Sequence, residues 1–383
     1  MKFSCTQENL KIGLLNIVHV AGKNINLPIL SNVLIDVSDS VIKLIATDLE
    51  IGVTAAIRGK VEAVGKTTVN AKLITDYVNL LPNKRVDIEL EDDGLKIECD
   101  NFKTKIKGED PGDYPIIPLI NKTNCFSFSF DGFKKTIAGV LFAAATDETR
   151  VELSGVYFEF GETELTLAAT DSYRLVERKI KYKNKENNGQ ELKKLIIPSK
   201  TLMEAVRMSS CNDAIDVAEE KSDKEIKVYV SENQVLFAYD EVELVSRIIE
   251  GQYPDYKQII PNVSEENKTV VKLDRRELAQ AVKASSLFSK TNVNDVELKY
   301  ANGSKKVVVS SLNAQSGQST AEVFAEGSGK DNGVVLNYKY LLDGLNNFES
   351  ERVILEIADA NTPVLLKIEN QADYLYIIMP IKK

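Results

Sequence analysis

A ten-residue segment that occurs twice constrains this chain more than any other feature. Leu44-Ile45-Ala46-Thr47-Asp48-Leu49-Glu50-Ile51-Gly52-Val53 reappears as Leu167-Ala168-Ala169-Thr170-Asp171-Ser172-Tyr173-Arg174-Leu175-Val176, a shift of 123 residues from Asp48 to Asp171. A lone Thr-Asp match is noise, but the same apolar frame around Ala-Thr-Asp is the mark of a repeat. The full length of 383 residues is close to three such shifts, and Val307–Gln315 is the expected third copy, much diverged. A chain of this size exceeds one ordinary hydrophobic core. Three related domains are therefore expected, at 1–121, 122–250 and 251–383.

Periodicity gives each repeat the same contents. Leu10, Leu14, Ile17 and Val18 fall on one face of a helix, as do Ile137, Val140, Leu141 and Ala144, and again Leu278, Val282 and Leu287. A second helix follows in each repeat, at Lys72–Leu81, Lys200–Met208 and Tyr338–Phe348. Thr6, Ser199 and Asp274 stand where helix caps belong. Between the helices, apolar and polar residues alternate, as in Val86–Leu90 and Leu95–Cys99 around an Asp-Gly turn. Tyr157–Phe160 with Leu165–Leu167, and Ile226–Val230 with Val235–Tyr239, read as further hairpins. The fold class is α+β, with two helices and antiparallel strands in each of three similar domains. Proline-rich segments mark the ends of the repeats: Tyr114-Pro115-Ile116-Ile117-Pro118, Tyr253-Pro254 with Ile259-Ile260-Pro261, and Met379-Pro380. Lys181–Lys194 is a polar surface loop.

Catalytic constellations are hard to assemble from these residues. The single histidine, His19, reads as a helix-boundary residue, and no metal-binding or nucleophile-elbow spacing is present. Gly327-Ser328-Gly329-Lys330 lacks the first glycine and the closing Ser/Thr of a phosphate loop, so it reads as a turn. Carboxylate clusters at Glu89–Asp93 and Glu219–Glu225 lie in charged turns. No catalytic residue, metal or cofactor is expected. Cys5, Cys99, Cys125 and Cys211 are far apart, which favours reduced thiols and a cytoplasmic location. Neither a secretory leader nor a stretch of membrane-spanning length is legible.

The net charge of −9 argues against binding nucleic acid through bulk charge. The six helical segments nevertheless sum to +3, leaving −12 elsewhere. Helices facing phosphates and strands facing solvent would give sequence-independent, salt-sensitive contact. On residues alone two other readings stay open: a repeat scaffold that binds peptides without nucleic acid, and a carboxylate-dependent hydrolase.

Several segments together resemble the bacterial sliding clamp family, the beta subunit of DNA polymerase III. They are Met1-Lys2-Phe3, Leu27-Pro28-Ile29-Leu30-Ser31-Asn32, Ala46-Thr47-Asp48-Leu49-Glu50, Ala169-Thr170-Asp171-Ser172-Tyr173-Arg174-Leu175, Gly251-Gln252-Tyr253-Pro254-Asp255-Tyr256 and Tyr376-Ile377-Ile378-Met379-Pro380. The resemblance runs the length of the chain. It implies a DNA clamp fold, a head-to-tail homodimer with six domains around a central hole, and helices lining that hole. It further implies topological, sequence-independent hold on double-stranded DNA as a processivity factor, without membrane association. The implied partners are the replicative polymerase alpha subunit, a clamp-loader complex and other proteins carrying a clamp-binding motif. They would enter a cleft between the second and third domains, at positions matching Leu153, Thr170, Ser172, Tyr173, Arg174, Leu175, Pro254, Ile259, Ile377, Met379, Pro380 and Ile381. Ile377 and Met379 would share one face of an extended strand. The dimer interface maps to Thr104, Ile106, Leu287 and Phe288, and DNA contacts to Lys23 and Arg150. The family's usual ending is Met-Pro-x-Arg-Leu, whereas here Ile381-Lys382-Lys383 follows Pro380, so a weaker rim is expected there.

Overall fold

The computed structural model describes residues 1–22, 26–92, 94–118, 120–122, 124–147, 149–184, 193–208, 224–261 and 268–382. Six α-helices lie within them: α1 (Gln7–Ile17), α2 (Ala71–Leu80), α3 (Phe130–Leu141), α4 (Ser199–Arg207), α5 (Arg275–Ser286) and α6 (Tyr338–Asn347). Each helix starts where a strand stops. Lys2–Thr6 runs into α1, Gly65–Asn70 into α2, Cys125–Ser129 into α3, Lys194–Pro198 into α4, Thr269–Asp274 into α5 and Asn332–Asn337 into α6. One strand-helix unit, used twice per repeat, accounts for all six.

Short polar side chains make these abrupt junctions possible. Thr6 accepts from the Asn9 backbone N–H, Asn70 from that of Leu73, and Asn337 from that of Lys339. Asp274 accepts from both Arg276 and Glu277. Each bond satisfies an amide that the first helical turn leaves unpaired. Ser199 departs from expectation. It is already the first residue of α4, and its hydroxyl donates to the Ser154 carbonyl at 2.6 Å instead of capping.

The chain forms two compact units, Met1–Lys134 with Tyr182–Glu191 and Lys200–Ile248, and Lys135–Lys181 with Leu192–Ser199 and Ile249–Lys383. The first unit holds a 14-stranded sheet and the second a 12-stranded sheet, with every named pairing antiparallel. In the first unit, α1 packs on α2 and on strand Ile51–Ile57, burying Leu10, Leu14 and Ile17 completely. In the second unit, α5 packs on α6 with Leu278, Val282, Leu341 and Leu345 fully buried. Leu287 leaves the expected stripe, because α5 ends at Ser286, and it is 77% exposed.

Sheet continuity follows the repeat. In the first unit the strand after the Ala-Thr-Asp turn, Ile51–Ile57, pairs with Val242–Arg247. In the second unit its counterpart, Arg174–Lys181, pairs with Gln371–Ile378. Cys5, Cys99 and Cys125 form no disulfide, and Cys211 lies outside the described residues. Among the described residues no helix is long and apolar enough to cross a membrane.

Candidate functional site

The Ala-Thr-Asp turn is the same device both times. Thr170 Oγ1 donates to the Arg174 carbonyl at 2.6 Å and accepts from the Ser172 N–H at 3.1 Å. Asp171 Oδ1 accepts from the N–H groups of Tyr173 and Arg174 at 2.9 and 3.0 Å. In the first copy Thr47 and Asp48 make the matching four bonds, to Ile51 and from Leu49, Glu50 and Ile51. These bonds hold the turn's second loop residue in the left-handed region, at φ 76° for Ser172 and 80° for Leu49. The diverged third copy is also a hairpin, between strands Lys306–Asn313 and Gly317–Ser328. Asn313 Oδ1 accepts from the Gln315 N–H there, and Gly317 supplies the positive φ.

An apolar cluster lies beside the second copy. Leu175 pairs with Ile377, Ile377 pairs onward with Leu365, and beyond the strand the Met379 N–H donates to the Tyr173 carbonyl at 2.9 Å. Leu153, Leu175, Ile377 and Leu365 are buried in one apolar cluster with Ala168, Ile196, Tyr253 and Tyr256. Thr170 is 5% exposed beside them. In the adjoining segments Tyr173 is 63% exposed, Ile259 39% and Met379 37%. Pro254, Pro380 and Ile381 are half-buried, and Ser172 is exposed. The Ile381 N–H donates to the Val335 carbonyl at 2.8 Å, which fixes the chain past Pro380. The Met379 N–H bond to Tyr173 continues the Arg174–Ile378 register one pair beyond the strand, with Ile377 1% exposed and Met379 37%.

Two polar ties hold the segment carrying Ile259. Tyr256 donates to Glu177 Oε2 at 2.7 Å, and Lys257 Nζ lies 2.9 Å from Glu159 Oε2. Burial, then the bond to Glu177, pushes the Tyr256 hydroxyl well above the usual phenol range. Partial burial opposes ionisation of Glu159, but hydrogen bonds and charge from Lys257 and Lys194 outweigh it and hold that carboxyl below its ordinary value.

Arg174 turns toward α6. Its guanidinium lies 2.9 Å from Asp171 and 2.6 Å from Asp343, and stacks 4.7 Å from the Tyr340 ring centroid. Tyr376, fully buried, places its ring against Gly344 of α6 and donates to the Tyr340 carbonyl at 2.7 Å. Sequence reading missed Asp343, Tyr340, Tyr253 and Tyr256 as parts of this framework. The Tyr-x-x-Tyr spacing of the last two was the available signal, whereas nothing local marks Asp343.

The remaining expected residues lie elsewhere. Thr104 is half-buried and Ile106 buried on strand Phe102–Glu109. Leu287 is exposed at the end of α5, and half-buried Phe288 lies beside Gly317. Arg150 reaches Ser172 Oγ at 3.0 Å and Glu152 at 3.3 Å, so it borders the second Ala-Thr-Asp turn. Lys23 lies outside the described residues. On the helices, Lys72, Arg276, Lys283 and Lys339 are exposed and in no ion pair with a described residue.

Three related domains, each built from paired strand-helix units whose sheets run on from one repeat to the next, define a DNA clamp. Comparison with known proteins agrees. Family profiles described as DNA polymerase III beta subunit match in order: the N-terminal domain at residues 1–118, the central domain at 128–255 and the C-terminal domain at 257–382. A beta sliding clamp of Synechocystis is 28% identical, covering 100% of this chain and 99% of its own length. One from Staphylococcus aureus is 29% identical over 93% of this chain and 92% of its own. The DNA polymerase sliding clamp of Bacillus subtilis superposes with a TM-score of 0.90 at 25% identity, covering 100% of this chain and 99% of its own. The beta subunit of Thermotoga maritima does so at 0.89, also 25% identical with the same coverage. The chain belongs to the DNA polymerase III beta subunit family, the beta sliding clamps, and functions as a DNA sliding clamp, a processivity factor.

Proposed function

We propose that two copies of this chain close head to tail into a ring around duplex DNA, with domains at 1–121, 122–250 and 251–383. The observation that carries this is a pair of leftover strand edges. The strand after each Ala-Thr-Asp turn pairs with the last strand of the following repeat. The third repeat's counterpart, residues 317–324, has a ladder on one side only, among the described residues. Among the described residues the first repeat's last strand likewise runs a single ladder, with strand Gly94–Cys99, along residues 102–107. Repeating the established pairing once more joins the 317–324 edge of one copy to the 102–107 edge of another. A heterologous contact of this kind closes a ring when the rotation closes. It gathers Thr104, Ile106, Leu287 and Phe288, and exposed Leu312 and Phe324 lie on the same two strands of the third repeat.

The ring holds DNA topologically and is cytoplasmic. It does no chemistry; it tethers the replicative polymerase alpha subunit, and exchanges it for the clamp loader and other motif-bearing proteins. The groove at Leu153, Thr170, Leu175, Ile259, Ile377 and Met379 takes their short peptides. An apolar floor with exposed Tyr, Ile and Met beside it suits aliphatic or aromatic anchors of varied shape. The area is small, so micromolar affinity is expected, about −8 kcal/mol. Calorimetry with a peptide carrying Gln and Leu/Phe anchors tests the groove. Retention on closed circular DNA, with loss on linearisation, tests the ring. Binding without the groove residues overturns the first, and equal retention on both DNA forms overturns the second.

A further inference from the structure

The first unit carries a groove built on the same plan. The Thr47–Gly52 turn repeats the hydrogen bonds of the Thr170–Leu175 turn, and strand Val242–Arg247 pairs beside it as Gln371–Ile378 does in the second unit. The segment that crosses it, Tyr114-Pro115-Ile116-Ile117-Pro118, shares its Tyr-Pro start and Ile-Ile-Pro end with Tyr253–Pro261. Tyr114 pins this segment. It is buried, its hydroxyl lies 3.1 Å from the Asn32 carbonyl and 3.2 Å from that of Ile45, and burial pushes its pKa up to about 12. Between turn, strand and crossing segment lies a cavity of about 400 Å³, lined by Leu49, Gly52, Ile116, Ile117 and Val245 among others.

Two observations point to an apolar ligand. Leu49 is held at φ 80°, a costly conformation for a bulky residue, and remains 46% exposed on the rim. Ile116, the counterpart of Ile259, is 93% exposed on the opposite wall. The floor also differs in an informative way. Gly52 stands where the second copy has Leu175, and a Cβ built on Gly52 would come within 2.7–2.9 Å of three Ile117 carbons. Ile117 therefore rests directly on the backbone, in space that a leucine side chain fills in the other groove. An aliphatic side chain from an extended segment already sits in this site, and it comes from the chain itself.

We propose that this groove is a second peptide-docking site, for the same class of short extended segment with aliphatic or aromatic anchors. It is weaker than the first because Glu50, on its lining, stands where the first has the exposed Tyr173. The inference rests on reading the Leu175–Met379 groove as the principal peptide site. Losing contact with one exposed aromatic side chain puts the second affinity roughly tenfold or more below the first.

The test uses the full-length protein and a fluorescein-labelled Gln-Leu-Ala-Leu-Phe peptide, with a photo-crosslinking version mapped by mass spectrometry. Wild type should show two classes of site per chain, with the weak class crosslinking to residues 47–52 or 115–118. Leu49→Asp with Ile116→Asp should abolish the weak class and leave the tight one unchanged; both residues are exposed, so melting temperature serves as the folding control. Met379→Asp should remove the tight class alone. A single tight class in wild type, or a weak class that survives the Leu49/Ile116 pair, overturns the second site while sparing the first. If the tight class survives Met379→Asp and crosslinks away from residues 153–175, the principal groove is misassigned and this inference falls with it. The same holds if no peptide binds.

Discussion

The Met379 N–H donates to the Tyr173 carbonyl at 2.9 Å, so the chain's last stretch is fastened to the turn that the repeat defines. The bond uses backbone atoms and leaves the Met379 side chain 37% exposed, whereas Leu175, in the apolar cluster, is 2% exposed. The two residues should thus respond differently to truncation. Met379→Ala removes rim contact only, and should weaken a Gln- and Leu/Phe-bearing peptide by about 1–3 kcal/mol without lowering the melting temperature. Leu175→Ala opens a cavity in the cluster and should cost about 2–5 kcal/mol of stability as well. Calorimetry and thermal melts on both variants check this; an unaltered Met379→Ala affinity would remove Met379 from the groove.

Leu287 and Phe288 should decide assembly. Leu287 makes little use of its side chain within its own chain, being 77% exposed, while Phe288 is half-buried near Gly317. Covering two such side chains in the ring contributes roughly 3–6 kcal/mol per interface. Leu287→Ala with Phe288→Ala should give folded monomer by light scattering at micromolar concentration. A persisting dimer would place the interface elsewhere.

The features legible in the sequence were those set by local chemistry. Thr47 and Asp48, then Thr170 and Asp171, fix their turns with bonds to residues within four positions, so the motif and its structure travel together. Helix faces were legible for the same reason, since Leu10, Leu14 and Ile17 lie on successive turns. What escaped depends on distant partners. Ser199 looks like a cap until Ser154, far back in the chain, offers its carbonyl. Ile377 and Met379 look alike until the fold surrounds the first with Leu153, Leu175 and Leu365, which leaves it 1% exposed while the second lies on the surface. Asp343 carries no local signal at all, because its meaning comes from Arg174.

Acid should loosen the groove wall through Glu159. Its carboxyl is held below the ordinary range in the folded chain, with Lys257 and Lys194 within 3.1 Å overcoming the cost of partial burial. A depressed folded pKa means the stabilisation is fully present above the unfolded glutamate value. It is lost as pH falls through the folded one. Glu159→Gln should therefore lower stability at neutral pH and flatten the decline of stability on the acid side. Denaturant melts from pH 7 down to about pH 3 check this; parallel curves for variant and wild type would show that Glu159 contributes no pH dependence.

The last expectation concerns DNA, where charge and topology must be separated. With a net charge of −9, free protein should bind short linear duplex weakly, and more weakly still as salt rises. Local charge can still touch phosphates where basic side chains are not neutralised by neighbours. On α5, Arg276 and Lys283 are exposed and in no ion pair with a described residue, whereas Arg275 is committed to the Ser350 and Leu345 carbonyls. Arg276→Ala and Lys283→Ala should each reduce the salt slope of binding by about 0.9 without affecting the fold, while Arg275→Ala should lower the melting temperature. None of the three should shorten residence on nicked circular DNA once a loader has placed the ring, because release there requires opening the ring rather than breaking phosphate contacts. Gel filtration of loaded circles before and after linearisation provides the measurement. Residence that falls in step with each lost positive charge would mean that ordinary electrostatic binding, not encirclement, keeps the protein on DNA.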